Sequence, residues 1–329
     1  MQAGTNAFFR FERNEMRFSH FGLGAFASVA AIAVATPALA DPVPVTTGPA
    51  IASPDPAVTL SDTTIAGNDD GQTTEANTPA ADTPVDPPKP FTITGSITVV
   101  SDYRFRGLTQ SDEKPALQPT LNLNHSSGLY IGTWMSTIDG GIDGSTPALT
   151  GYGFAEIDLY AGFTRTLKNG FGFDVGLLYY LYPDNQHGLK TDFFEPYASI
   201  NYTIGPVNAK LGGAYAWGGQ SGLDFTAGND DNIYVYGELS GSIPKTPITL
   251  KSHLGYTNGS LGLVNPSADD SYWDWSLTAE ALIKGHLKIG VSYVDTDITE
   301  RKFGGLLPKG FAQTLGRGAT GLAYIGYSF

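Results

Sequence analysis

Gly321-Leu322-Ala323-Tyr324-Ile325-Gly326-Tyr327-Ser328-Phe329 closes the sequence on a strict alternation in which positions 323, 325, 327 and 329 are all apolar or aromatic. A period of two is the signature of a β-strand with unlike faces. Tyr327 and Phe329 on the apolar face suit a membrane-water interface, where aromatic rings settle. The remaining 320 residues decide whether this strand stands in a membrane or in a soluble sheet.

The same pattern recurs from Phe91 onward in about twelve segments, each of roughly the length a strand needs to cross a bilayer. In Ala155-Glu156-Ile157-Asp158-Leu159-Tyr160-Ala161-Gly162-Phe163, the apolar residues share one face and the two acids the other. Trp273 to Ala281, Ile248 to Leu254 and Leu117 to Asn124 repeat the alternation. A soluble two-sheet sandwich would alternate as well, but connector lengths separate the two folds. Short connectors at 126–128, 168–170, 205–206, 244–247 and 284–285 alternate with longer polar stretches around 106–115, 138–152, 183–191, 218–230, 258–270 and 297–315. That rhythm predicts an all-β fold, a transmembrane antiparallel up-and-down β-barrel of about 12 strands spanning 91–329. Phe163, Phe171, Tyr179, Tyr202, Trp217, Trp273, Trp275, Tyr293 and Phe329 fall near strand ends on the face assigned to lipid.

Composition narrows the function classes. Only 16% of the 329 residues are charged and 41 are glycine, as in a sheet with many tight turns. A mean hydropathy of -0.10 excludes a helical membrane bundle. The absence of cysteine removes disulfide frameworks and thiolate metal sites. A net charge of -13 argues against nucleic acid as a partner, because no basic surplus exists to neutralise phosphates.

Two segments precede the barrel. Arg17 and His20, the apolar run from Phe21 to Ala35, and Thr36-Pro37-Ala38-Leu39-Ala40 read as a secretory signal peptide over 1–40, cleaved before Asp41, with Met16 favoured as the start. Residues 41–90 hold 10 of the 21 prolines and eight acids against one base, with no aromatic residue. Such a stretch cannot bury enough apolar area to offset its ordering entropy and is expected to be a disordered Pro/Thr/Asp-rich leader facing the periplasm.

Candidate functional residues follow from the parity of each strand. The expected lumen face carries Glu156, Asp158, Asp174, Glu195, Glu238, Asp274 and Glu280 against Lys210, Lys251 and Lys288. If the first strand runs on through Phe105 with Ile97 and Val99 on lipid, Tyr103 and Phe105 also face lipid, and Asp102, Arg104 and Arg106 face the lumen near the outer mouth. Arg104 and Arg106 then form either a basic rim that selects solutes or an Asp-Arg network that pins the strand to its neighbours. Acids outnumber bases on this face, and charge rings set the sign of permeant ions, so a weak cation preference is expected. Inward Tyr160, Tyr180, Tyr197, Tyr234 and Tyr236 would narrow the bore.

Catalysis and cofactor binding find little support. His253 faces inward with Asp274 on the next strand, but no nucleophile motif accompanies them. The histidines are scattered and show no His-x-His or His-Glu-x-x-His spacing, so no metal, cofactor or catalytic residue is assigned. A non-conducting structural or adhesive barrel is the alternative to a channel.

Ser101-Asp102-Tyr103-Arg104-Phe105-Arg106-Gly107, with Thr109-Gln110 and Pro115-Ala116-Leu117-Gln118 behind it, resembles the N-terminal signature of the TorF family of bacterial porins. Gly128 to Trp134, Glu156 to Gly162, and Asp174-Val175-Gly176 with Tyr180, Tyr182 and Pro183 are similar to that family's following strands. The last strand resembles the C-terminal strand of bacterial outer-membrane barrels, which finish on Phe with an aromatic two residues before it. The resemblance implies passive diffusion of small hydrophilic solutes across the outer membrane of a Gram-negative bacterium. The partners it implies are outer-membrane lipid, lipopolysaccharide and the barrel assembly machinery, the last through the strand ending in Phe329. The acidic leader is not part of the family pattern.

Overall fold

The computed structural model describes residues 90–140, 149, 151–186, 189–223, 231–262, 271–299 and 316–329. The expected signal peptide over 1–40 and, apart from Pro90, the expected leader over 41–90 lie outside the described residues. The chain enters the sheet at β1 (Phe91–Val100) and then forms a short pair, β2 (Arg104–Phe105) and β3 (Leu108–Thr109). The wall continues through β4 (Ala116–His125), β5 (Leu129–Gly140), β6 (Gly153–Thr166), β7 (Phe171–Leu181), β8 (Phe193–Ile204) and β9 (Val207–Ala216). It finishes with β10 (Asn232–Ser242), β11 (Ile248–Gly259), β12 (Ser271–Ile283), β13 (Leu287–Thr296) and β14 (Thr320–Ser328).

Twelve of these strands form one closed antiparallel barrel in chain order, with β14 returning to β1. The seam registers Ser96 with Ser328 and Val100 with Tyr324. Beyond it, Gly95 and Phe329 exchange backbone hydrogen bonds of 3.1 and 2.9 Å. Closure leaves no strand edge, which is what permits a sheet to stand in hydrocarbon. The short connectors lie at the end where β1 begins and the long ones at the other, as the sequence rhythm predicts.

Parity assigns the two faces. Ile97, Val99, Leu121, Leu159, Leu211, Leu250, Leu277, Val291 and Ile325 are exposed outward, while Thr98, Gln118, Asn122, Asp158, Ser276, Ser292 and Ser328 are buried inside. Aromatic residues lie at both ends of the outer face, among them Phe171 tilted against Tyr202 at the short-turn end and Tyr256 near Trp273 at the other. The barrel is therefore transmembrane, apolar outside and polar within.

Inward glycines shape the lumen wall. Gly132 pairs directly with Tyr160, Gly162 with Tyr130, Gly176 with Tyr197, Gly212 with Tyr236 and Gly290 with Tyr324. A Cβ at any of these glycines would sit inside the van der Waals radius of the partner ring, 2.5 Å from Cε2 of Tyr160 in the case of Gly132. Each tyrosine thus lies down over its glycine, and the rings line the wall instead of reaching for the axis.

The first strand is shorter than its alternation suggests. It ends at Val100, and residues 101–115 turn inward as the β2–β3 hairpin. Asp102 organises this turn: one carboxylate oxygen accepts from the Thr109 and Ser111 hydroxyls, and the other pairs with Arg104. Tyr103, expected on lipid, is only 1% exposed inside the barrel and donates to Glu156 at 3.2 Å. Phe105, also expected on lipid, packs edge-on against Tyr180 of β7. The supposed external loop at 106–115 opens to solvent only around Glu113, Lys114 and Pro115.

Two outcomes test this architecture. Gly290→Ala should force Tyr324 off the wall at a cost of about 1–3 kcal/mol, seen as a lower unfolding temperature of the folded, heat-modifiable species. Gly321→Ala on the outer face, where nothing lies within 4 Å, should leave that temperature unchanged. Arg104→Ala removes the partner of buried Asp102 and should cost about 3–5 kcal/mol, with new protease cleavage in 101–115. An unchanged cleavage pattern would contradict the pinned hairpin.

Candidate functional site: the charged lumen

Ten of the thirteen candidate residues lie at inward positions of the wall strands, and Asp102, Arg104 and Arg106 lie on the 101–115 segment inside the barrel; together they fall at two levels. The long-loop half holds Asp102, Arg104, Arg106, Glu156, Asp158, Glu195 and Asp274, each no more than 4% exposed. Here the hairpin lies inside the bore. Arg104 reaches the Gly316 carbonyl and Glu113 as well as Asp102. Arg106 crosses to β8, where its Nη2 donates to both Glu195 oxygens at 2.7 and 2.9 Å, and its guanidinium lies 4.2 Å from the Tyr234 ring of β10. The pinning network is therefore the role the contacts of Arg104 display: four hydrogen bonds hold it, and no part of its side chain is open to solvent.

The short-turn half has a different texture. Along the arc from β7 to β13 the inward charges alternate in sign: Asp174, Lys210, Glu238, Lys251, Glu280, Lys288. Lys210 and Glu238 are cross-strand partners 3.6 Å apart, and Lys251 meets Glu280 at 3.1 Å. Tyr130 donates to Asp174 at 2.7 Å, and Tyr324 donates to Glu280 at 2.7 Å. Glu238 and Lys251 each keep 20% of their side-chain surface open. The complementary arc, β14 through β1 to β4, presents Ser328, Ser96, Thr120, Asn122 and Asn124, which carry no charge. One side of this half is thus an ion-pair ladder and the other a hydroxyl and amide surface.

His253 joins the two levels. Its Nε2 lies 2.8 Å from the Tyr234 hydroxyl and 3.2 Å from Asp274, and its Nδ1 lies 3.6 Å from Glu238. These partners occupy the ring with acids and a phenol, and His253 is a hydrogen-bonded lumen histidine. Among the described residues no group of three or more His, Asp or Glu side chains is arranged to hold a metal ion.

Sequence reasoning missed two contributors. Tyr103 and Phe105 belong to the site because the hairpin turns in, and Thr109 with Ser111 causes that turn. The tyrosine-glycine pairs were invisible because Gly132 and Tyr160 meet only once strand register is known.

Among solved structures the chain is similar to the KdgM porin, with 8% identity over 72% of this chain and 99% of that one at a TM-score of 0.45. It is similar to the NanC porin, with 12% identity, coverage of 72% and 99% and a TM-score of 0.45. A third is the COG4313 outer membrane channel from Pseudomonas putida F1, with 12% identity, coverage of 74% and 98% and a TM-score of 0.42. No curated protein matches the chain. The family model that matches is not called TorF: it spans residues 85–319, nearly the whole barrel, and is described as a bacterial protein of unknown function, so the chain belongs to the Gcw_chp family.

Proposed function

We propose that this barrel is an outer-membrane, porin-like channel through which small hydrophilic solutes diffuse passively, with a weak preference for cations. The observation that carries the reading is the contrast of faces: a closed sheet whose outside is apolar encloses the acids and bases named above, His253 among them. Burying charge is costly, and a purely structural barrel would do better with a packed apolar interior. Tyrosines laid flat over glycines keep the wall thin, which serves a bore. The resemblance of 101–118 to TorF porins supports the same class.

The sign of the preference comes from the long-loop half, where Asp102, Glu156, Asp158, Glu195 and Asp274 face Arg104, Arg106 and Arg317. The alternating ladder below it cancels to zero. Acidic surplus at the narrow level attracts cations and repels anions. The short-turn end, where the leader joins at Phe91, then faces the periplasm, and the long loops face outward.

The hairpin inside the bore favours the second reading, a non-conducting structural or adhesive barrel. Planar-bilayer recording of the purified protein separates the two. Discrete conductance steps with a reversal potential of cationic sign in a KCl gradient are expected, and Asp158→Asn should move that potential toward zero. A silent bilayer would establish the structural reading, and an anionic reversal potential would overturn the charge argument.

A further inference from the structure

Arg106 is a charged side chain placed as a ligand would be. It sits on the tip of the hairpin at a φ of 49°, a left-handed conformation that a non-glycine residue rarely adopts, and Gly107 follows at 82°. From there the guanidinium reaches a constellation built by other strands. Both oxygens of Glu195 accept from its Nη2, the Tyr180 hydroxyl donates to Glu195 at 3.0 Å, and the Tyr234 ring lies 4.2 Å from its Cζ. Glu195, Tyr180 and Tyr234 are each no more than 2% exposed, so the groups that receive the cation are fixed by the wall. A carboxylate oriented by a phenol, beside an aromatic face, is the chemistry that recognises a planar, weakly hydrated organic cation.

We propose that Glu195, Tyr180 and Tyr234 form a binding site for guanidinium-headed organic cations, and that Arg106 fills it in cis. Two features make exchange feasible. Nε and Nη1 of Arg106 are buried without a hydrogen-bond partner, so the tethered occupant satisfies the site incompletely. Both Asp158 oxygens are likewise buried and without a partner, and this acid interacts electrostatically with Glu195. A free solute, unconstrained by the hairpin backbone, can present its donors at angles Arg106 cannot reach. Its entry displaces the tip, and the hairpin acts as a plug that yields to one class of cation. This goes beyond conduction, and binding in detergent is read whether or not the barrel conducts.

Calorimetric titration of the folded, detergent-solubilised barrel with methylguanidinium chloride tests the site. Arg106→Ala should gain saturable binding at least tenfold tighter than wild type, methylammonium chloride should show none, and Arg106→Ala with Glu195→Gln should lose it. Equal affinity in wild type and Arg106→Ala, or indifference to Glu195→Gln, would overturn the proposal. If Arg106→Ala yields no heat-modifiable barrel, Gly107→Ala provides the second route. Its Cβ would meet Thr296 Cγ2 at 2.5 Å and lift the tip with Arg106 intact. Saturable binding dependent on Glu195 is then expected, and its absence counts against the site.

Discussion

Backbone hydrogen bonding in a medium without water is the constraint from which the rest of this molecule follows. Each N–H and C=O exposed to hydrocarbon without a partner costs several kcal/mol, so a sheet can cross only if it has no edge. The β1–β14 seam meets that requirement. Five registered pairs run from Ser96 and Ser328 to Val100 and Tyr324, and the exchange between Gly95 and Phe329 extends them by one more. The Phe329 ring then lies across Gly95, within 2.5 Å of where a Cβ would be, so the outer face of the seam is covered by the last aromatic side chain. Once the sheet is closed, parity is fixed for every strand, and charge away from the strand ends turns inward.

An interior filled with charge creates the second problem, which the fold solves differently at its two levels. Near the short turns, acids and lysines that alternate around the arc from β7 to β13 neutralise one another across the ladder. Near the long loops there are too few bases on the wall, and the chain supplies Arg104 and Arg106 from a hairpin. The same segment that neutralises the acids also occupies the bore. Structure and function are coupled at this point: whatever moves the hairpin uncovers Glu195 and its neighbours, and whatever neutralises those acids frees the hairpin.

Most of the wall was legible in the sequence because period-2 alternation and turn length are local signals. Glu156 and Asp158, or Lys251 and His253, declare their common face within three residues, and the lumen list needed no knowledge of pairing. The hairpin was illegible for the same reason. Asp102, Arg104 and Arg106 alternate with Tyr103 and Phe105 as a strand would, so parity carried β1 past its true end at Val100. What folds the segment inward is Asp102 receiving hydroxyls seven and nine residues away, Thr109 and Ser111, a contact no periodicity reports. The tyrosine-glycine pairs and the partnership of Arg106 with Glu195, 89 residues apart, likewise exist only after closure sets register.

Closure is therefore the claim to test first. Thr98 and Gly326 face each other across the seam on the lumen side, and a Cβ on Gly326 would lie 3.4 Å from that of Thr98, near disulfide distance. In a chain that has no cysteine of its own, Thr98→Cys with Gly326→Cys should form one intramolecular disulfide on mild oxidation of the folded monomer. Quantitative loss of both thiols, with the monomer retained on a non-reducing gel, is the expected result. Two thiols that remain free, or that cross-link only between chains, would contradict the closed barrel and the account built on it.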